Sequence, residues 1–246
     1  MNSHIQMPKC ILKQFALDNN GFYKYDIQKG RINRGFPKST FTEPDYYSET
    51  IEKAFNLLVE NPLKKVLDYA KGFEEETLPE IMSTETREIA IMYLKSLIAR
   101  SPLLLSSVKE NSVFLQFASK QAQHDITATY AMQEEKMEAL FNKFDFSFMI
   151  NETNTPFVLP TRGLYEYQIN GVLCINAPIN PKCCIMLKEK GKVIHPNNKE
   201  KNLITILPKT FDDIVMKVNS FAMQRQKQDN IGYVVCHIKS VLEQLI

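Results

Sequence analysis

Glycine and histidine are scarce in this chain of 246 residues, with eight and four copies. So few glycines leave little material for phosphate-cradling loops. Neither a Gly-x-x-x-x-Gly-Lys loop nor a Gly-x-Gly-x-x-Gly turn occurs. A Gly-x-Ser-x-Gly nucleophile elbow is missing as well. The histidines, His4, His124, His195 and His237, include no pair at a metal-ligand spacing. Cys236 and His237 are adjacent at a strand end, and Cys183-Cys184 is a vicinal pair whose side chains would point to opposite faces of a strand. No structural metal and no cofactor are expected.

Charge of one sign is also lacking. Thirty basic residues against 28 acidic ones leave a net charge of +2, which supplies no bulk field for nucleic acid or a membrane. No apolar run approaches the roughly eighteen residues of a bilayer span, so no membrane partner is expected. Five cysteines, Cys10, Cys174, Cys183, Cys184 and Cys236, are an odd number without a framework spacing. The opening residues have no basic segment, and Lys9 and Lys13 interrupt their apolar stretch, so they read as no export signal. Reduced thiols in a cytoplasm are the expectation.

What is present is enough for a full core: 44% of residues are hydrophobic and 24% charged. The segment "LDNNGFYKYDIQKGRI" places Asn20-Gly21 before an aromatic run in which Tyr23, Tyr25 and Ile27 share one face. Asn-Gly favours a hairpin because both residues accept positive φ. A second turn at Gln28-Lys29-Gly30 completes an antiparallel meander. The apolar stretch "MPKCILKQF" is read as a strand or strand entry of that meander, paired with a C-terminal strand.

After Pro37 the pattern turns helical. Ile51, Ala54, Phe55, Leu58 and Val59 recur at spacings of three and four. Pro62 interrupts them with a kink or short break, and Leu63, Val66, Leu67 and Ala70 restart the period until Gly72. Ser83 or Thr84 caps a helix whose Ala90, Tyr93, Leu94 and Leu97 form a stripe, with Ile91 and Ile98 beside it. That helix is too apolar for a surface and reads as central; Ser101-Pro102 ends it. From Asn111 to Phe144, Val113, Phe114, Phe117, Ile126, Tyr130, Met137, Leu140 and Phe141 mark the buried side of one long helix or two stacked ones.

Strand-like pieces follow from Phe146, then a helix at "TFDDIVMKVNSFAMQ", a strand at "IGYVVC" and a last amphipathic helix. The expectation is one α+β domain over 1–246, with a strand meander in 1–35, helices in 44–145, and strands with two helices in 146–246. In it the helical middle segment packs on an antiparallel or mixed sheet built from N-terminal and C-terminal strands.

Two charged features stand out. The run "KEKGKVIHPNNKEK" carries Lys188, Lys190, Lys192, Lys199 and Lys201 and could meet phosphates. No aromatic platform interleaves these charges, so a solvated hairpin end is the preferred reading and nucleic acid is not the expected partner. Arg100 ends the most apolar helix. It serves there either as a cation on the helix dipole or as a planar fork aimed into a pocket for carboxylate or phosphate.

In order along the chain, "MPKCILKQF", "FYKYDIQKGRI", "FPKSTFTEPDYY", "IEKAFNLLVENPLKKVL", Arg100-Ser101-Pro102, "TPFVLPTRG", "APINPKCCIML" and "VMKVNSFAMQ" resemble the bacterial family catalogued as domain of unknown function 4238. The resemblance implies an α+β, cytosolic bacterial protein and brings no established activity. Two positions depart from the family pattern. Its histidine three places before proline is Ile5 here, with His4 displaced by one, and its aspartate after Pro-Phe is Thr161. Matched positions that stay polar are Glu60, Arg100, Asn180 and Asn219.

Each of those four lies in or beside an apolar run and needs a partner if buried. A Glu60–Arg100 pair between neighbouring helices, its free edges facing a cavity beside Asn180 and Asn219, would serve packing, a ligand, or both. With His4, these residues form the candidate ligand-binding set. The leading functional reading is a cytoplasmic binding or regulatory domain, with a polar pocket between helices and sheet and an unidentified ligand or protein partner. The rivals are a metal-independent hydrolase or a nucleic-acid-acting effector, either of which needs an acid or base within reach of a reacting atom.

Overall fold

The computed structural model describes residues 2–4, 6–17, 21–71, 83–133, 135–192, 204–230 and 232–246. After a short strand, β1 (Asn2–His4), residues Lys9–Gln14 form a helix, α1, where the sequence reading placed a strand. The reason lies in the spacing. Met7, Ile11 and Phe15 recur every four residues and, with Leu12, are fully buried. Pro8 sits just outside the helix, where its missing N–H breaks no ladder. α1 packs on the sheet strand β8 (Val172–Asn180), and β1 pairs with β4 (Thr42–Pro44).

The meander proper is shorter. β2 (Phe22–Asp26) and β3 (Arg31–Gly35) form an antiparallel hairpin whose turn is pinned by Asp26 Oδ1 accepting from the Lys29 N–H. Asn20 lies outside the described residues. At Gly21 the backbone has φ +76°, and a side chain would collide with the Gly35 carbonyl. β11 (Tyr233–Cys236) pairs with β2 and, on its other edge, with β6 (Leu159–Pro160), giving the order β3-β2-β11-β6. Strands from the two ends of the chain therefore meet in one sheet.

Ser48 caps α2 (Glu49–Phe55), its Oγ accepting from the Ile51 N–H. A π-helical turn, Asn56–Glu60, then leads directly into α3 (Asn61–Lys71). Pro62 accounts for it: the ring cannot donate to the Leu58 carbonyl and crowds it, and the wider turn makes room. The turn also rotates the apolar face, so Leu58, expected inside, is half exposed while Val59 stays buried. Gly72 and the acidic link after it lie outside the described residues.

Ser83 caps α4 (Thr84–Ala99), accepting from the Thr86 N–H at 3.1 Å. Ala90, Tyr93, Leu94 and Leu97 are buried, so α4 is central as its sequence implies. After α5 (Pro102–Glu110), the segment from Asn111 to Phe144 is more broken than one or two helices: α6 (Val113–Phe117), α7 (Lys120–Gln133) and α8 (Glu135–Phe141). Ala118 is extended and ends α6.

The buried side of α7 also differs from expectation. Gln123, His124, Thr127, Ala128 and Ala131 face inward, Ile126 and Tyr130 face out, and Phe117 of α6 is 85% exposed. α7 lies against α4, and small residues let the two helices approach closely. Two of the polar ones on that face, Gln123 and Thr127, are satisfied locally. Gln123 donates to the Leu115 and Ala118 carbonyls, and Thr127 donates to the Gln123 carbonyl.

The second large sheet belongs to the C-terminal half. β5 (Phe144–Asn151), β7 (Tyr165–Ile169), β8, β9 (Cys183–Glu189) and β10 (Ile204–Leu207) run in the order β10-β5-β9-β8-β7, antiparallel except for β10 beside β5. Cys183 and Cys184 point to opposite faces, as vicinal strand residues must, and each joins a different apolar cluster. One cluster packs under α1–α4. The other lies beneath α9 (Asp212–Asp229) and α10 (Lys239–Leu245). Of the lysine-rich run, residues 193–201, with His195, Lys199 and Lys201, lie outside the described residues. Among the described residues no single helix is long and apolar enough to cross a membrane.

Candidate functional site

Arg100 stands at the C-terminal end of α4, and its side chain turns to the π-helical turn rather than to solvent. Nη2 donates to Glu60 Oε1 at 3.4 Å, with the arginine side chain 2% exposed and the glutamate side chain 20%. The guanidinium lies 4.1 Å from the Phe55 ring centroid, a cation–π contact that covers its flat face. Nε and Nη1 are buried and have no hydrogen-bond partner. The pair expected from the sequence is therefore present, and two of the three guanidinium nitrogens are buried without a partner.

Titratable groups crowd this point. Burial pushes the Glu60 carboxyl above its ordinary range, and the Arg100 charge opposes the shift. Burial, with a smaller contribution from Glu60, raises the Cys10 thiol to about 11. That thiol is protonated at neutral pH and is not an activated nucleophile. The Tyr93 hydroxyl is likewise raised by burial and donates to Met7 Sδ at 3.9 Å.

A chain of ring contacts runs outward from the pair. Phe55 meets Tyr47 at 5.3 Å, Tyr47 meets Tyr46 at 4.8 Å, and Tyr46 stacks on His124 at 3.5 Å between centroids. Burial, then the Lys120 and Lys109 charges, pushes the buried His124 down to about 4, and its Nε2 has no partner.

The remaining predicted residues go elsewhere. His4 lies in β1, and its side chain is not among those described. Asn180 Oδ1 accepts from the Lys182 N–H at 2.7 Å and shapes the β8–β9 turn. Asn219 is fully buried on α9 and clamps an irregular segment. Its Oδ1 accepts from the Val158 N–H at 3.0 Å, and its Nδ2 donates to the Pro156 carbonyl at 2.8 Å. Both asparagines thus use their amides on backbone. Thr161, where the resemblance leads one to expect an acid, donates its hydroxyl to the Tyr233 carbonyl at 2.8 Å and ties β6 to β11. Ile5 lies outside the described residues.

The open face of α1 forms a different site. Since Met7, Ile11, Leu12 and Phe15 are buried, Lys9 and Lys13, four residues apart, share the outer side. They face the far end of the β2–β3 hairpin and the turn that follows it. In that turn the Ser39 and Thr40 N–H groups both donate to the Phe36 carbonyl. Between these walls lies a cavity of about 820 Å³, lined by Lys9, Lys13, Lys38, Ser39, Phe36 and Gly21 among others. No carboxylate is among the described lining residues, and none of the three lysines is in an ion pair with a described residue. Like charges so gathered attract an anion.

The sequence reading missed this site because net charge averages it away. Its signal was local: the first forty residues hold seven basic and two acidic side chains. Among the described residues, no group of three His, Cys, Asp or Glu side chains could hold a metal ion.

A family model described as "Protein of unknown function (DUF4238)" matches residues 6–155. The matched stretch contains Lys9, Lys13, Lys38, Glu60 and Arg100, whereas His4, Asn180 and Asn219 fall outside it. No curated protein and no solved structure matches the chain.

Proposed function

The chain belongs to the DUF4238 family of proteins of unknown function, and from that premise we propose that it is a cytoplasmic binding or regulatory domain for a small anion. The pocket is the one between α1 and the β2–β3 hairpin, not the neighbourhood of Asn180 and Asn219. The observation that carries this reading is the convergence of Lys9, Lys13 and Lys38 on one cavity without a carboxylate on its described wall. Its volume is in the range of small-molecule sites, about 300–1,000 Å³. Arg100 and Glu60 lie behind it and hold α4 against the π-helical turn, a rigid back wall for α1. Binding is favoured over hydrolysis because no His, Cys, Asp or Glu that could serve as acid, base or nucleophile is among the described lining residues.

Isothermal titration of the full chain with inorganic tripolyphosphate tests the reading. Binding should weaken steeply with added salt, since the contact is charge on charge. The Lys13→Ala/Lys38→Ala double variant should lose about ten-fold or more in affinity, the equivalent of about 1.4 kcal/mol. Affinity unchanged in that variant, or no binding to the parent chain at low salt, overturns the proposal.

A further inference from the structure

We infer that the ligand of the lysine cavity is a nucleotide, its ring resting on Phe36 and its phosphates held by Lys9, Lys13 and Lys38. This deepens the anion-binding reading above and rests on it. The new observation is Phe36 itself. It follows directly on β3 at the cavity wall and is 48% exposed, where an aromatic side chain would ordinarily bury its face.

Its position is set by backbone. A Cβ at Gly21 would stand 2.9 Å from Phe36 Cδ1, so the bare glycine is what allows the chain to come up against the ring. With one side backed by Gly21, the ring is held in place before any ligand arrives. A preorganised aromatic face costs little entropy to use.

The cavity therefore offers two chemistries. One wall, α1, brings the ammonium groups of Lys9 and Lys13; the opposite wall brings the Phe36 ring, with Lys38 and Ser39 following it in the chain. A dicarboxylate would answer the lysines and leave Phe36 idle. A neutral ring compound would leave three like charges together. A nucleotide answers both, because every base has a π-face and its phosphates carry several negative charges close together.

Lysines act as mobile point charges rather than as a fixed fork. The site should therefore respond to the number of phosphates more than to their geometry. This agrees with a chain that has no glycine-rich phosphate loop. Stacking on one exposed ring tolerates any base, so discrimination between bases should be weak.

Calorimetric titration of the full chain with adenosine, AMP, ADP, ATP and tripolyphosphate tests the inference on the unaltered protein. Affinity should rise from AMP to ATP, adenosine should bind far more weakly than ATP, and ATP should exceed tripolyphosphate by about ten-fold, as expected for one stacked base. Phe36→Ala should remove that ten-fold excess and leave tripolyphosphate binding unchanged, and Phe36→Tyr should retain it. ATP and tripolyphosphate binding equally to the parent chain would overturn the nucleotide assignment while leaving the anion site standing. Failure of both to bind would remove the two together. A six-nucleotide RNA binding more than ten-fold tighter than ATP would also overturn it, because the groove would then belong to a polymer.

Discussion

Charge is handled in opposite ways on the two sides of α1. Inward lies Arg100, its side chain 2% exposed, bonded to Glu60, roofed by Phe55 and surrounded by buried Tyr93 and Tyr47. Outward lie Lys9 and Lys13, facing Lys38 across a cavity with no carboxylate among its described lining residues, although the Lys9 charge also acts on Glu60. The inner cation is matched because an unpaired charge in an apolar core costs several kcal/mol. The outer ones stay hydrated, so leaving them unpaired costs folding little. A residue conspicuous for being polar in an apolar run therefore points first to architecture, whereas unpaired like charges around a cavity point to a ligand.

The largest expected effect lies on the inner side. Arg100→Ala strands Glu60 and Glu60→Ala strands Arg100, each at roughly 3–5 kcal/mol in urea unfolding. The double variant should cost clearly less than the sum, because the second change relieves the charge left by the first. Simple additivity would show that the 3.4 Å contact carries no coupling, and the contrast between the two sides would fail.

A smaller effect concerns pH, through the ring contacts that run from Arg100 to His124. Folded His124 takes a proton only near pH 4, against 6.5 for an unperturbed histidine. Between those values the unfolded chain holds the extra proton, so this residue lowers stability as pH falls through the window and contributes no slope above it. Lys120 and Lys109 add to the depression, while Glu43 and Asp125 oppose it. His124→Phe keeps a ring against Tyr46, so unfolding curves at pH 7, 6, 5 and 4 should decline less steeply for the variant. Parallel declines would detach His124 from the buried network.

The smallest effect belongs to the outer side. Lys13→Ala and Lys38→Ala should each alter unfolding free energy by no more than about 0.5 kcal/mol, as for exposed positions without partners. A loss above about 1 kcal/mol in either would make that lysine part of the architecture and blur the distinction.

Much of the fold was legible wherever local pattern and burial agree. The Ser83 cap, the stripe Ala90, Tyr93, Leu94, Leu97, the hairpin turn before Gly30, the alternating faces of Cys183 and Cys184, and α9 and α10 all follow from periodicity and turn chemistry. The Glu60–Arg100 pair was legible for a related reason: each interrupts an apolar run, and a buried charge requires an opposite one.

Misreadings arose where two patterns compete within one stretch. In α1 the helical spacing Met7, Ile11, Phe15 was outweighed by an apolar run that also suits a strand. In α7 the large residues Ile126 and Tyr130 drew the eye, yet the inner face is the row Gln123, Thr127, Ala131, narrow enough to lie against α4.

By itself, then, the sequence determined the α+β class, the central helix, the meeting of strands from both chain ends and the need for a buried ion pair. Those depend on neighbours a few residues apart or on the cost of burying one group. Only the tertiary structure decided that Lys9 and Lys13 look across at Lys38 and Phe36, that Asn219 serves the backbone of Pro156 and Val158, and that Leu58 turns outward. Local periodicity states which face of an element avoids water. Which polar faces then confront one another follows from how the apolar faces of distant segments pack.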